Sequence, residues 1–354
     1  MSSGPDNIIE EQEFERLLDV ITGSNNPVAT ANTARQTWSP AGREKTAMIV
    51  HHAPVYAAHF GLKEAPFSLT PDTRFFHAHG THLDALNTLL VALRSGEGFT
   101  KLTSEVGTGK TLLCRMLLQK LDARFTTAYI PNPYLDPLSL LLAIADELGI
   151  DCPREAGQRQ ILKSLGRYII GSNARRGKAV VVCLDEAHAM PEETLEALRL
   201  LSNLETQQRK LIQLVLFGQP ELNVRLNRPS IRQLQQRISF SCRLRPLAQH
   251  ELAAYIEHRL TVAGGKSAGI FSRSALRLLF RASQGTHRLV NILAHKAMMA
   301  AFGAGEHTVR KTHVKAAIAD TEAVQKINLT RSRPWLGLLP RRTSPPSSNS
   351  PAGR

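Results

Sequence analysis

The sequence predicts an α/β protein: a parallel five-stranded sheet flanked by helices, followed by a small all-helical domain. Three observations predict it. Apolar runs of strand length alternate with longer segments of helical period up to about residue 247. One of those runs, the AVVVCL of Ala179–Leu184, is nearly continuous in hydrophobicity, which is how a strand buried on both faces of a parallel sheet reads. Beyond residue 248 the strand pattern stops and helical segments alone follow. Strands separated by helices imply crossover connections, and crossovers imply parallel pairing.

The elements follow in chain order. Residues 1–53 form an extension that is expected to be largely disordered. Its acidic part carries Asp6, Glu10, Glu11, Glu13, Glu15 and Asp19 against Arg16, and Ile8, Ile9, Phe14, Leu17, Leu18 and Ile21 would line one face of a short helix. Residues 22–45 are rich in Asn, Ser, Thr, Ala and Pro and read as a linker. The α/β core is expected over 54–247. Its strands fall at 98–103, 125–130, 179–184, 211–217 and 239–244, and its helices at 82–95, 110–121, 138–148, 155–173 and 192–204. The helical domain is expected over 248–322, with helices at 249–263, 272–282, 286–302 and 308–320. Residues 323–354 end in a stretch rich in Pro, Ser and Arg that cannot build a packed core.

Composition sets the outer bounds. The chain has 354 residues and 42% hydrophobic content, which allows a sizeable core and excludes wholesale disorder. Cys114, Cys152, Cys183 and Cys242 lie far apart and form no C-x-x-C pair, so neither a disulfide framework nor a cysteine zinc site is indicated. The net charge of +14 points to a polyanionic partner: nucleic acid, acidic lipid or nucleotide phosphate. No apolar run approaches the ~18 residues of a membrane span. The acidic start lacks the form of a signal peptide, so a soluble cytoplasmic protein is the expectation.

Three strand ends carry the chemistry. The string Ser104-Glu105-Val106-Gly107-Thr108-Gly109-Lys110-Thr111 follows one expected strand and opens one expected helix. That is the context a phosphate loop needs, with backbone N–H groups and a helix N-terminus turned toward an anion. Lys110 would reach the outer phosphates, and the Thr111 hydroxyl would bind Mg²⁺. The usual first glycine of this loop is Ser104 here. The third strand ends in Asp185 and Glu186, and two carboxylates at a buried strand end are costly unless they bind something. Asp185 would hold Mg²⁺ through water, and Glu186 would polarise the attacking water. His188 completes a D-E-A-H string, but the second α/β domain and arginine motif of a helicase are missing, so it reads as a loop residue beside the site. Gln219, after the fourth strand, reads equally as an amide beside the terminal phosphate and as the start of a helix.

Among Arg232, Arg237, Arg243 and Arg245, Arg237 stands just before the fifth strand and is singled out as an arginine reaching a neighbouring subunit's phosphate. Arg288 opens a helix of the small domain, where it would couple that domain's position to the nucleotide.

Together these residues resemble the AAA+ P-loop ATPases of the ExeA/MshM type, linked to type II secretion and to MSHA-like type IV pili. Residues 56–72 look like the family opening Y-x-x-x-F-G-L-x-x-x-P-F-x-x-x-P-D. The H-x-x-A-L, G-E-V-G-T-G-K-T, D-E-A, G-Q-P-E-L and Q-R-I segments fall at His82, 104–111, 185–187, 218–222 and 236–238. The G-x-P-R-x-I-N segment falls at 285–291, with His287 and Val290 substituted. The resemblance implies an ATP hydrolase with ATP and Mg²⁺ as cofactors. It implies that Glu105, Val106, Gly107, Thr108, Gly109, Lys110, Thr111 and Leu112 hold ATP and that Thr111 and Asp185 hold the metal. It assigns Glu186, Gln219, Arg237 and Arg288 to catalysis, with Arg237 as the inter-subunit finger of a homo-oligomer. Phe60 and Phe67 are either base neighbours or core. Partners would be secretion or pilus assembly proteins. The core also resembles transposition regulators of the TniB/TnsC type, which makes DNA the alternative partner. Family members commonly continue into a transmembrane helix. No such run is present, so the expectation is cytoplasmic, or peripheral at the inner membrane. Ser104 is expected to weaken turnover.

Overall fold

Two alternating sets of side chains on the strands of one sheet determine this architecture. The computed structural model describes residues 53–153, 155, 157–202, 210–265 and 269–324; the expectations for the acidic helix, the linker and the tail lie outside the described residues. The strands are β1 (Phe99–Thr103), β2 (Phe125–Ile130), β3 (Ala179–Leu184), β4 (Ile212–Gly218) and β5 (Ile238–Arg243). They run in the order β2-β3-β4-β1-β5, and every pair is parallel. On β3 and β4, Val180, Val182, Leu214 and Leu216 face one side, while Val181, Cys183, Val215 and Phe217 face the other, as the period of two requires. Both sets are covered, which is why these strands read as unbroken apolar runs. Edge strand β5 instead alternates between half-buried and exposed residues.

One face is covered by α1 (Gly80–Arg94) and α2 (Lys110–Lys120), through Leu86, Leu89, Leu93, Leu113 and Leu117. The other is covered by α3 (Pro137–Glu147), α4 (Gln158–Arg176) and α5 (Glu192–Leu201), through Leu140, Ile144, Leu165, Ile169 and Leu198. The start of α3 is set locally. Asp136 accepts from the Leu138 and Ser139 N–H groups, and Pro137 occupies the first turn, where its missing N–H costs nothing. Two short helices, α6 (Glu221–Leu226) and α7 (Arg232–Gln236), link β4 to β5. Expected and observed boundaries differ by up to three residues at most ends, the usual disagreement at frayed termini.

The helical domain contains α8 (Gln249–Val262), α9 (Arg273–Ser283), α10 (His287–Gly303) and α11 (Lys311–Ala319). Its core includes residues that the sequence reading placed in the α/β unit. Tyr56, Ala57, Phe60, Leu62, Phe67 and Phe75 pack with Leu252, Ile256, Leu260, Leu293 and Ala297. Six residues between 56 and 75 thus pack with the helical layer. Buried Arg259 fixes them there, donating to the carbonyls of Pro66 and Ser68 and lying 4.7 Å from the Phe75 ring centroid. Phe60 and Phe67 are core residues and do not line the cleft described below.

A second clamp holds the two domains together at residue 247. The Leu247 N–H donates to the Gly285 carbonyl at 2.9 Å. Gly285 has φ +74°, and a Cβ there would run into the Leu247 backbone, so only glycine fits the approach. Nearby, Arg245 forms a two-pronged ion pair with buried Glu251 at 2.7 and 2.8 Å. That contact, with the Ala248 N–H, holds the Glu251 carboxyl down to about 2.

Candidate functional site

At the carboxyl ends of the parallel strands the chain leaves a cleft of about 350 Å³ between the sheet and the helical domain, within the roughly 300–1,000 Å³ range of small-molecule sites. The loop after β1 forms its floor. Ser104, 1% exposed, donates its N–H to the Gly218 carbonyl, and its hydroxyl accepts from Thr108 Oγ1 at 2.6 Å. The serine that replaces the usual glycine thus braces the loop internally. Gly107 has φ +77°, and a Cβ on it would meet Arg288 Cβ at 2.7 Å. The Arg288 N–H donates to the Gly107 carbonyl at 2.9 Å. The helical domain therefore sits directly on the loop.

Lys110 opens α2 and is 6% exposed. Its Nζ donates to the carbonyls of Ser104 and Glu105 at 3.1 and 3.4 Å. Burial lowers the Lys110 pKa, and the Glu186 and Asp185 carboxylates oppose that shift. Thr111 Oγ1 donates to Asp185 Oδ2 at 2.7 Å. Asp185 is 2% exposed, and burial raises its carboxyl although Thr111 and the Glu186 N–H donate to it. A buried carboxylate beside a threonine hydroxyl and a lysine is a donor set that a hard divalent cation satisfies through oxygen ligands. The residues present fit Mg²⁺ accompanied by a phosphate chain.

Glu186, Gln219 and His188 form a second polar group. Glu186 stands at φ +52°, a left-handed conformation that is uncommon outside glycine. Its Oε2 lies 3.4 Å from Gln219 Nε2 and 3.3 Å from His188 Nδ1, and Gln219 Nε2 is 2.8 Å from His188 Nε2. Arg225 donates to the His188 carbonyl at 2.5 Å and fixes that turn. The Gln219 carbonyl accepts the Leu222 N–H at the start of α6, and its side chain lines the cleft.

Gly107, Gly109, Lys110, Thr111, Val106, Leu112, Glu186, Gln219 and Arg288 line this single cleft. Arg237 does not join them. It lies at the opposite, amino ends of the strands, where Ile238 pairs with Phe99, and its guanidinium donates to Ser202 Oγ at 2.6 Å. The length of β1, about 16 Å at ~3.3 Å per residue, separates the two ends. Of the other arginines in its run, Arg245 is engaged by Glu251, and Arg232 and Arg243 are exposed.

One wall is made of residues to which the sequence assigns no site role. His77, Tyr255, Arg259, His287 and Asn291 line the cleft, with the Tyr255 hydroxyl donating to Asn291 Oδ1 at 2.9 Å. His82 donates from Nε2 to the Thr108 carbonyl at 2.8 Å, which fixes the loop from α1. His77 Nε2 and His287 Nδ1 are buried without a hydrogen-bond partner. Such atoms are costly in an interior unless a ligand's polar edge meets them, and a purine offers one. Burial keeps both rings neutral, with His77 down at about 4 and His287 well below its ordinary value.

A family model described as an AAA domain matches residues 93–226. General secretion pathway protein A of Aeromonas hydrophila is 40% identical over 271 residues, covering 77% of this chain and 49% of that protein. The chain spans about half the length of that curated relative. Among solved structures, the Aeropyrum pernix ORC2 protein matches with a TM-score of 0.56 at 20% identity, over 75% of this chain and 73% of its own. CDC6P from Pyrobaculum aerophilum matches with a TM-score of 0.54 at 20% identity, over 73% of each chain. At these identities the likeness is one of fold. No helix among the described residues is long and apolar enough to cross a membrane.

Proposed function

We infer that this chain, which belongs to the AAA+ P-loop ATPases, binds ATP with Mg²⁺ in the cleft and hydrolyses it to drive or regulate assembly of a secretion system. The observation that carries the reading is the convergence of Lys110, Thr111, Asp185 and Glu186 on one glycine loop. In this reading the backbone N–H groups of 105–112 and the α2 N-terminus hold the phosphates. Lys110 leaves its two loop carbonyls for the outer phosphates. Thr111 and Asp185 would hold Mg²⁺, which would neutralise charge that develops during transfer. Glu186 accepts the proton of the attacking water, and the Gln219 amide, held by His188, orients that water. Arg288 follows the phosphates and carries the helical domain with it.

The step from ATPase to secretion rests on the similarity to general secretion pathway protein A. Assembly of MSHA-like pili is the related reading within that family. A homo-oligomer fits it, because Arg237 cannot reach its own chain's cleft. The test is ATP turnover by the purified chain with and without Mg²⁺, and by Lys110→Ala. Mg²⁺-dependent turnover that falls at least 100-fold in the variant is expected. Equal rates in the two chains would sink the reading.

The net charge of +14 favours a second reading, an ATP-gated DNA-binding regulator. Phosphate contacts would make its binding steeply salt-dependent. Filter retention of duplex DNA at 50 and 200 mM salt, with and without ATP, is the check. Retention that ignores both variables rejects this reading.

A further inference from the structure

The exposed side of the helical domain carries charge with no counterpart. Arg273, Arg277 and Arg281 on α9 recur every fourth residue, so they share one face, and all three are exposed. Lys311 and Lys315 repeat the spacing on α11 and are also exposed. The two helices pack together and start side by side, because Phe271 and Val309, each two residues ahead of Arg273 and Lys311, form a parallel bridge. Neither helix contains an acidic residue. Two carboxylates that flank α11 in the chain are engaged elsewhere: Glu306 with Arg310, and Asp320 with Lys296. Among the described residues, none of the five cations has an ion-pair partner. Like charges four residues apart on a helix repel one another and lower the stability of the bare surface.

We propose that the acidic N-terminal segment, residues 6–19, docks on this α9/α11 face of its own chain. The charges are complementary: six carboxylates against Arg16 on the segment, and five uncompensated cations on the face. The tether also starts in the right place. The chain enters the described structure at residue 53, and His59 stacks on His307 with ring centroids 4.0 Å apart. His307 lies two residues before the bridged Val309, so the entry is close to the basic end of both helices. A random coil of 33 residues, the number from 20 to 52, spans about 30 Å. That exceeds the roughly 16 Å length of the 11-residue α9. A tethered partner at such a distance has an effective concentration of order millimolar, so modest electrostatic affinity suffices. The docked segment screens the face from other polyanions and contributes to neither nucleotide contact nor the cleft.

Carbodiimide cross-linking of the full chain, read by mass spectrometry, tests this placement, because the reagent joins a carboxylate to a lysine only at contact distance. Peptides linking Glu10, Glu11, Glu13 or Glu15 to Lys311 or Lys315 are expected at low salt. They should fall at least fivefold at 1 M salt, where the screening length is about 3 Å, and equally in the Arg273→Gln, Arg277→Gln, Arg281→Gln triple variant. Absence of these links, or links indifferent to salt and to the triple variant, overturns the proposal. Links that join isotopically distinct chains in a mixed sample also overturn it, since they make the occupant a second copy. A second variant has the six acidic residues of 6–19 replaced by Asn or Gln. Uncovering the face should raise salt-sensitive retention of an oligonucleotide about tenfold over the native chain. Equal retention contradicts a covered face.

Discussion

Replacing Glu186 by glutamine is expected to leave nucleotide affinity unchanged and to cut hydrolysis about 10²–10⁴-fold, the usual worth of a positioned general base. The geometry explains why the effect should be so one-sided. Glu186 is held at φ +52°, a conformation that costs of order 1–3 kcal/mol and persists only when its surroundings enforce it. Here the constraint is local: its N–H donates to Asp185 Oδ1 at 3.0 Å, and the chain turns at once into the Ala187–Ala189 helical turn. The result points the carboxylate toward Gln219 and His188, while Asp185 accepts from Thr111. Glutamine preserves the shape and can still meet Gln219 and His188, but it cannot accept a proton at neutral pH. Titration calorimetry with a non-hydrolysable analogue separates binding from turnover. Turnover within threefold of the native chain would remove Glu186 from the role of base. Loss of binding along with turnover would make it a structural residue of the loop.

The legible and illegible parts of this molecule differ in how far apart their partners lie in the chain. The phosphate loop is legible because glycine conformation, the lysine and the threonine are properties of eight consecutive residues. The Asp185–Glu186 strand end is legible because an unbroken apolar run leads into two carboxylates. The wall of the cleft is not, because it is made by long-range contacts. Arg259 meets Pro66 across 193 positions, and nothing in the periodicity of α8 distinguishes it from a solvated arginine. His82 opens the H-x-x-A-L segment, but its partner is hidden until α1 is placed beside the Thr108 carbonyl. The packing of residues 56–75 is illegible for the same reason. The apolar residues show that this segment packs somewhere, but only tertiary structure shows that the partner is the helical domain more than 170 residues later.

Arg237→Ala is expected to lower hydrolysis about 10³-fold, the lower end of what an arginine supplied in trans contributes to phosphoryl transfer, without weakening nucleotide binding. Within its own chain Arg237 is a sheet-length from Lys110 and bonded to Ser202, so a direct catalytic effect has to cross a subunit boundary. A mixing experiment separates that from a structural effect. In an assembly of Arg237→Ala and Glu186→Gln chains, some cleft with an intact Glu186 faces a neighbour with an intact Arg237. Neither variant alone should turn over, whereas the mixture should recover a substantial fraction of native activity. If Arg237 acts by holding Ser202 and the start of β5, every Arg237→Ala chain stays defective and the mixture stays inactive. Ser202→Ala sharpens the contrast, because it removes the local anchor and keeps the guanidinium. Activity near native in Ser202→Ala, together with recovery in the mixture, assigns the effect of Arg237 to the neighbouring cleft. An inactive mixture assigns it to the amino ends of its own sheet.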